Sequence, residues 1–343
     1  MPDDYPAPKK KLLVAVLPLT NLSSTPAPLD EIRQQLENSF KQQGLDILPA
    51  ETLESFIVEH RIRYVGGIDE ITARDLRYET GADAVLITSV ELYSDTPPPK
   101  IAFTCRLVST GNNPKILWID GVGLAGDDSV GIFQLSLIED PRELLEKAVR
   151  RLSTSLGEYL AGESYSQDSQ RDIIKFWPKK TYRSPILEPN WKYTVAVVPF
   201  YNLSERRFAG EIIALNFVEH LVTGKNVSVI EPGIVRQMLL QMRIIMDDGI
   251  SFDDAHALFG KLNVDLILAG KIFDYQDSQG TSGTAKVDFS ALAIERQSRE
   301  VVWTSQSFNE GDHGVFFFDW GKITTAHVMA SEMVQSALET LVE

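Results

Sequence analysis

The sequence predicts an α/β fold with an α+β mixed sheet, arranged as two tandem repeats of a small mixed-sheet domain flanked by helices. Residues 14–23 match residues 195–204, and seven of the ten aligned residues are identical. Each half also shows a similar succession of apolar strand, amphipathic helix, later strands and closing helix. We therefore place domains at 10–161 and 191–343, joined by a linker at 162–190.

The first repeat opens with an apolar run at 12–19, which predicts a strand covered on both faces. Apolar residues three to four apart predict a helix over 29–43, which Gly44 ends. Strands at 45–48 and 84–92, separated by helices near 51–61 and 71–80, indicate a crossover. Alternation over 101–108 and 115–121 predicts a hairpin, and a helix over 141–160 closes the repeat. The second repeat has corresponding helices at 212–222 and 324–341.

Charge and composition restrict the classes of partner. The chain of 343 residues has a formal net charge of -15, which disfavours nucleic acid and anionic bilayer surfaces as main partners. Its apolar runs fall short of the ~20 residues that span a bilayer. Residues 1–4 show no basic and apolar export pattern, so the chain is either cytosolic or an exported protein without its leader. A protein surface is the favoured partner.

The loop after each first strand lacks the glycines that cradle phosphate groups. It carries Asn21 and Ser23 in one repeat, and Asn202 and Ser204 in the other. These side chains readily bond nearby backbone, which favours a structural turn or cap. A contact of Asn21 and Asn202 with a partner or ligand is the alternative.

Catalytic and metal-binding patterns are absent from the sequence. The five histidines are scattered, and Cys105, the only cysteine, lies in an alternating strand where it predicts a small buried apolar side chain. No nucleophile elbow appears, although a dispersed triad remains open. We expect no enzyme activity, no cofactor and no metal.

Aromatic residues mark two candidate partner contacts. One is the segment 314–320, which carries Phe316, Phe317, Phe318 and Trp320 and serves either as core or as an exposed oligomer or partner face. The other is the linker pair Phe176 and Trp177, which either docks onto a neighbouring domain or binds a partner.

The second repeat resembles curli-secretion (CsgG-like) lipoproteins and the N-terminal domain of TolB. The matching residues are Val195 to Phe200 with Asn202-Leu203-Ser204, then Val229-Ile230-Glu231, and residues 262–272. The first repeat resembles the same superfamily more weakly, through 14–23 and 81–88. Such motifs specify fold better than function.

The resemblance implies a periplasmic protein of the bacterial cell envelope, typically an outer-membrane lipoprotein. Such a protein acts through contacts with envelope proteins or with itself in secretion or envelope assembly, and touches the membrane only through a lipid anchor. This chain has no lipidation cysteine near residue 1. Two alternatives are a small-ligand or enzymatic role in the interdomain cleft and a cytosolic oligomeric adaptor.

Overall fold

A computed structural model describes residues 11–128, 137–162, 176–188, 191–224, 226–244, 249–278, 284–311 and 323–342. These residues form two mixed sheets, each with helices packed on it. The predicted fold class is confirmed. We name β1–β6 with α1–α4 the first module, and β7–β13 with α5–α8 the second module.

The first module keeps the predicted order of elements. Its strands are β1 (Leu13–Val16), β2 (Thr20–Asn21), β3 (Asp46–Ile47), β4 (Ala84–Ser94), β5 (Lys100–Ser109) and β6 (Ile116–Ala125). Its helices are α1 (Leu29–Gln42), α2 (Ala50–Glu59), α3 (Glu70–Thr80) and α4 (Pro141–Ala161).

The second module repeats this order after an added first strand. Its strands are β7 (Lys180–Arg183), β8 (Tyr193–Val197), β9 (Tyr201–Asn202), β10 (Val227–Val229), β11 (Leu266–Gln276), β12 (Lys286–Glu295) and β13 (Val301–Glu310). Its helices are α5 (Ala209–Thr223), α6 (Pro232–Gln241), α7 (Phe252–Leu262) and α8 (Ala326–Val342).

Five strands follow the same order in both sheets, and the second sheet adds β7 at one edge. The first runs β3-β1-β4-β5-β6, and the second runs β10-β8-β11-β12-β13-β7. In each, a short strand, β1 or β8, lies parallel between two others, and three long strands follow that are antiparallel to one another. Strand β7 comes from the region assigned to the linker and pairs with β13, so the second sheet recruits residues upstream of 191. The domain boundaries themselves stay a prediction.

Equivalent side chains make equivalent bonds in the two modules. The indole of Trp118 donates to Ser155 Oγ at 3.2 Å, and that of Trp303 donates to Thr340 Oγ1 at 3.0 Å. Both bonds tie the last long strand to the closing helix. In each module the first and last helices cover one face of the sheet, α1 and α4 in the first module and α5 and α8 in the second. The two middle helices cover part of the other face.

Candidate interaction surfaces

The loop asparagines form matching turns. Asn21 Oδ1 accepts from Ser23 N at 2.9 Å and Ser23 Oγ at 2.6 Å, while its Nδ2 donates to Thr25 O at 2.8 Å. Asn202 makes the same three bonds with Ser204 and the Arg206 carbonyl. Asx turns of this kind use the side-chain oxygen and amide locally. Neither residue caps a helix, since α1 and α5 begin after Pro28 and Phe208.

Helices α5 and α8 of the second module lie between the two sheets. The hydrophobic core of the second module includes Leu22 and Ile119, which belong to the first. Helix α5 is buried around nearly its whole circumference, unlike α1, which buries one stripe formed by Ile32, Leu36 and Phe40. A helix that is apolar all round belongs in an interior, and here both of its sides face a sheet.

A buried ion pair joins the modules at one end of this interface. Arg106 on β5 and Glu231 before α6 have fully buried side chains, with Nη2 and Oε1 2.9 Å apart. Arg106 also donates to the Gly66 carbonyl at 2.6 Å. Here the two backbones nearly touch, because a Cβ on Gly233 would stand 2.3 Å from Ile68 N. Only glycine fits that approach.

A second polar cluster lies where α5 and α8 meet β4 and β6. Glu91 accepts from Thr104 Oγ1 at 2.6 Å, and its other oxygen lies 2.6 Å from His327 Nδ1. Glu219 on α5 accepts from the backbone N–H of Gly121 at 3.1 Å. These groups are buried, and their burial is tolerated because each makes a hydrogen bond or ion pair across the interface.

Burial changes the acid–base behaviour of this cluster. Removal from water, with Asp120 and Glu91 nearby, raises the pKa of Glu219 to about 8, against the opposing pull of His327. Burial lowers the pKa of His327, but its contact with Glu91 outweighs that effect and leaves the pKa above its ordinary value. At neutral pH, Glu219 is therefore protonated.

Further bonds extend the interface towards the ends of the long strands. Lys100 Nζ donates to the carbonyl and hydroxyl of Ser278, and Thr324 Oγ1 donates to Asp128 Oδ1 at 2.5 Å. Arg206 donates to Ser24 Oγ at 2.8 Å and to the Glu91 carbonyl. The two modules are thus held by polar bonds as well as by a shared core.

The predicted aromatic contacts separate in the structure. Phe176 is buried in the core of the second module, whereas Trp177 is 42% exposed. Phe316, Phe317, Phe318 and Trp320 lie outside the described residues. The described residues flanking them are joined, since Ile323 N donates to the Gly311 carbonyl at 3.2 Å.

A surface cleft of about 410 Å³ lies on the first module, near the starts of α1 and α4. Carboxylates and prolines dominate its lining, with Tyr93 and Arg142 beside them. Arg142 Nε stands 3.6 Å from Glu31 Oε1, so its charge is already matched within the cleft. All of its lining residues belong to the first module, so the cleft is not part of the contact between the modules.

Signals of catalysis are weak in the described part of the chain. Cys105 is buried as predicted, and burial raises the pKa of its thiol to about 12, which makes it a poor nucleophile. Among the described residues, no group of three or more His, Cys, Asp or Glu side chains could hold a metal ion. Within the same residues, no helix is both long and apolar enough to cross a bilayer.

Sequence reasoning missed the residues that join the modules. Glu91 and Arg106 interrupt otherwise apolar strands, a pattern that requires buried partners, but the pattern does not say which partners. Their partners His327 and Glu231 lie 236 and 125 residues away in sequence.

Comparisons with known proteins gave structural likenesses to part of the chain. No family model matches, and no curated protein matches. The PelC dodecamer from Paraburkholderia phytofirmans is similar, with 17% identity, 47% of this chain and 96% of that chain covered, and a TM-score of 0.33.

Two further solved structures are similar at the same level. The lipoprotein GNA1162 from Neisseria meningitidis shows 20% identity, with 42% of this chain and 98% of that chain covered, and a TM-score of 0.31. The LpoB C-terminal domain from Salmonella enterica shows 17% identity, with 33% of this chain and 82% of that chain covered, and a TM-score of 0.28. Likenesses this distant do not assign a function.

Proposed function

We propose that this chain is a non-catalytic protein-interaction or scaffold module of the bacterial cell envelope, acting in the periplasm in secretion or envelope assembly. The observation that carries the proposal is the contact between the modules. Buried pairs such as Arg106 with Glu231 and Glu91 with His327 fix two small domains against each other. A fixed pair presents surfaces at a constant separation, which suits a scaffold.

The interdomain position that a ligand would occupy is filled by protein. Helices α5 and α8 lie there, with Leu22 and Ile119 packed against them. The polar loop residues Asn21 and Asn202 are engaged in their own turns. Both observations favour a protein-binding role over a ligand-binding or enzymatic role in that cleft.

The test is affinity capture with the full chain from an envelope extract and, separately, from a cytosolic extract. We expect one envelope protein to be enriched, with Phe316→Ser and Phe318→Ser reducing its recovery if the aromatic segment is the contact. Tyr78→Ser is the matched control, because Tyr78 is an aromatic residue that is 90% exposed on α3. Enrichment only from cytosol, or from neither extract, would contradict the proposal.

A further inference from the structure

The two sheets differ in how their second faces are covered. Strand β5 of the first sheet is buried along almost its whole length, whereas its counterpart β12 alternates between buried and partly exposed residues. Strands covered on both faces differ in this way from strands with one open face. On the side away from α5 and α8, helices α6 and α7 cover only part of the second sheet, and the described residues leave the rest of that face open. We call this uncovered part the open face.

Equivalent positions show what covers this face in the first module. Leu22 N donates to the Val90 carbonyl at 2.7 Å, and Leu203 N donates to the Ile272 carbonyl at 2.9 Å, so the two leucines occupy the same place. Leu22 is 7% exposed because the second module packs on it, whereas Leu203 is 51% exposed. Among the described residues, no helix covers this position in the second module.

The open part of this face carries exposed apolar side chains beside polar ones. Phe273 follows Ile272 as Glu91 follows Val90, and it is 42% exposed where Glu91 is 1% exposed. Tyr182, opposite Thr304 on the same face, is 52% exposed. Exposed leucine and aromatic side chains of this kind are typical of binding surfaces.

We propose that this open face, centred on Leu203 and Phe273, binds the apolar side of a helical element from a different protein. The proposal rests on the proposed function and names the kind of partner. Helices are the expected occupant because α5 and α8 cover the equivalent face of the first module. Lys271, Ser290, Gln306 and Lys180 align in one cross-strand row, and its two lysines favour carboxylates on the partner at that row. Asp274 and Asp288 form the next row on the same face, where a basic side chain of the partner is favoured.

A second copy of this chain is a poor occupant. Helix α1 aligns with α5 through their buried stripes, and it carries Glu31 and Gln34 where α5 carries Ile212 and Leu215. Along α4, the exposed residues are mostly charged: Arg142, Glu143, Glu146, Lys147, Arg150 and Arg151. A second chain would thus bring a charged helical face to the exposed side chains of Leu203 and Phe273, at a high desolvation cost.

The experiment places the photo-reactive residue p-benzoylphenylalanine at position 182 of the full chain in bacterial cells. We expect an adduct with one different protein, mapped to residues on one face of a helix. Leu203→Ser and Phe273→Ser should each lower its yield about tenfold, as loss of a central interface residue does. Ile71→Ser is the control, because Ile71 is 54% exposed on α3, outside this face.

Three results would overturn the inference: no adduct above background, an adduct with a second copy of this chain, or an adduct with residues 312–322 of the same chain. Circular dichroism of each variant checks that the fold is kept, which the exposure of both side chains leads us to expect. Envelope capture that is lost in Phe316→Ser but gives no adduct at position 182 would refute this inference and leave the proposed function standing.

Discussion

Replacing Glu219 by Gln tests the buried contact between α5 and the first sheet. The amide keeps an oxygen that can accept from the Gly121 N–H, which the carboxyl accepts at 3.1 Å. It removes the ionisable group whose pKa rises to about 8 on burial. The substitution therefore separates the charge of Glu219 from its shape.

The magnitude follows from proton binding. Between pH 4.5 and about 8 the folded chain holds a proton on Glu219 that the unfolded chain has released. The free energy of unfolding then falls with rising pH, by about 1.4 kcal/mol per pH unit for this group. Over the whole interval the loss reaches about 5 kcal/mol, and it is complete above the folded pKa. The stabilising contribution is thus largest at acidic pH.

Urea unfolding at pH 5, 6, 7, 8 and 9 measures the effect on both proteins. The wild-type chain should lose stability relative to Glu219→Gln as pH rises, so the difference between them should change by several kcal/mol, on the order of the value above. Glu54→Gln on the exposed side of α2 is the control and should run parallel to wild type. If the Glu219→Gln profile also runs parallel to wild type, the reasoning about this carboxyl is wrong.

Three other substitutions test further features, each by urea unfolding at pH 7. Glu231→Ala should cost about 3–5 kcal/mol because it leaves Arg106 buried without its carboxylate. Replacing both Arg106 and Glu231 by Met should cost much less. If the costs of changing the two residues simply add in the double variant, this account is wrong. Gly233→Ala should cost about 1–3 kcal/mol because the added Cβ would collide with the backbone of Ile68. Gly260→Ala on α7 is the control: its added Cβ would meet no atom within 4 Å, and it should stabilise the fold by about 0.5–1 kcal/mol. Equal effects of the two substitutions would argue against the close approach. Asn202→Ala should cost about 1–2 kcal/mol through loss of its turn, and no loss would show that the turn is dispensable.

Local pattern was sufficient to predict the elements. The spacing of Ile32, Leu36 and Phe40 predicted α1, and alternation predicted the hairpin of β5 and β6. The predicted first strand was longer than β1, which ends at Val16, because pairing with β4 is interrupted before β2. Each of these features depends on residues close in sequence.

Arrangement could not be predicted in the same way. The burial of α5 on both sides follows from the position of the first sheet, and the turn at Asn21 was only one of two interpretations. Strand β7 escaped prediction because four residues with polar neighbours show too little periodicity. Long-range charge pairs such as Arg106 with Glu231 depend on folding of both modules.

The contact between the modules is asymmetric, and this has an evolutionary consequence. In a symmetric dimer, one residue change alters both halves of the assembly, so every interface residue must suit two environments. Here the residue of the second module that is equivalent to Arg106 is Leu292. Likewise, the residue of the first module that is equivalent to Glu231, before α6, is Pro49, before α2. Each position is encoded separately and can mutate alone. Because both partners are in one chain, their association also does not depend on protein concentration. Selection could therefore specialise one sheet for internal contact while leaving the other available for new partners.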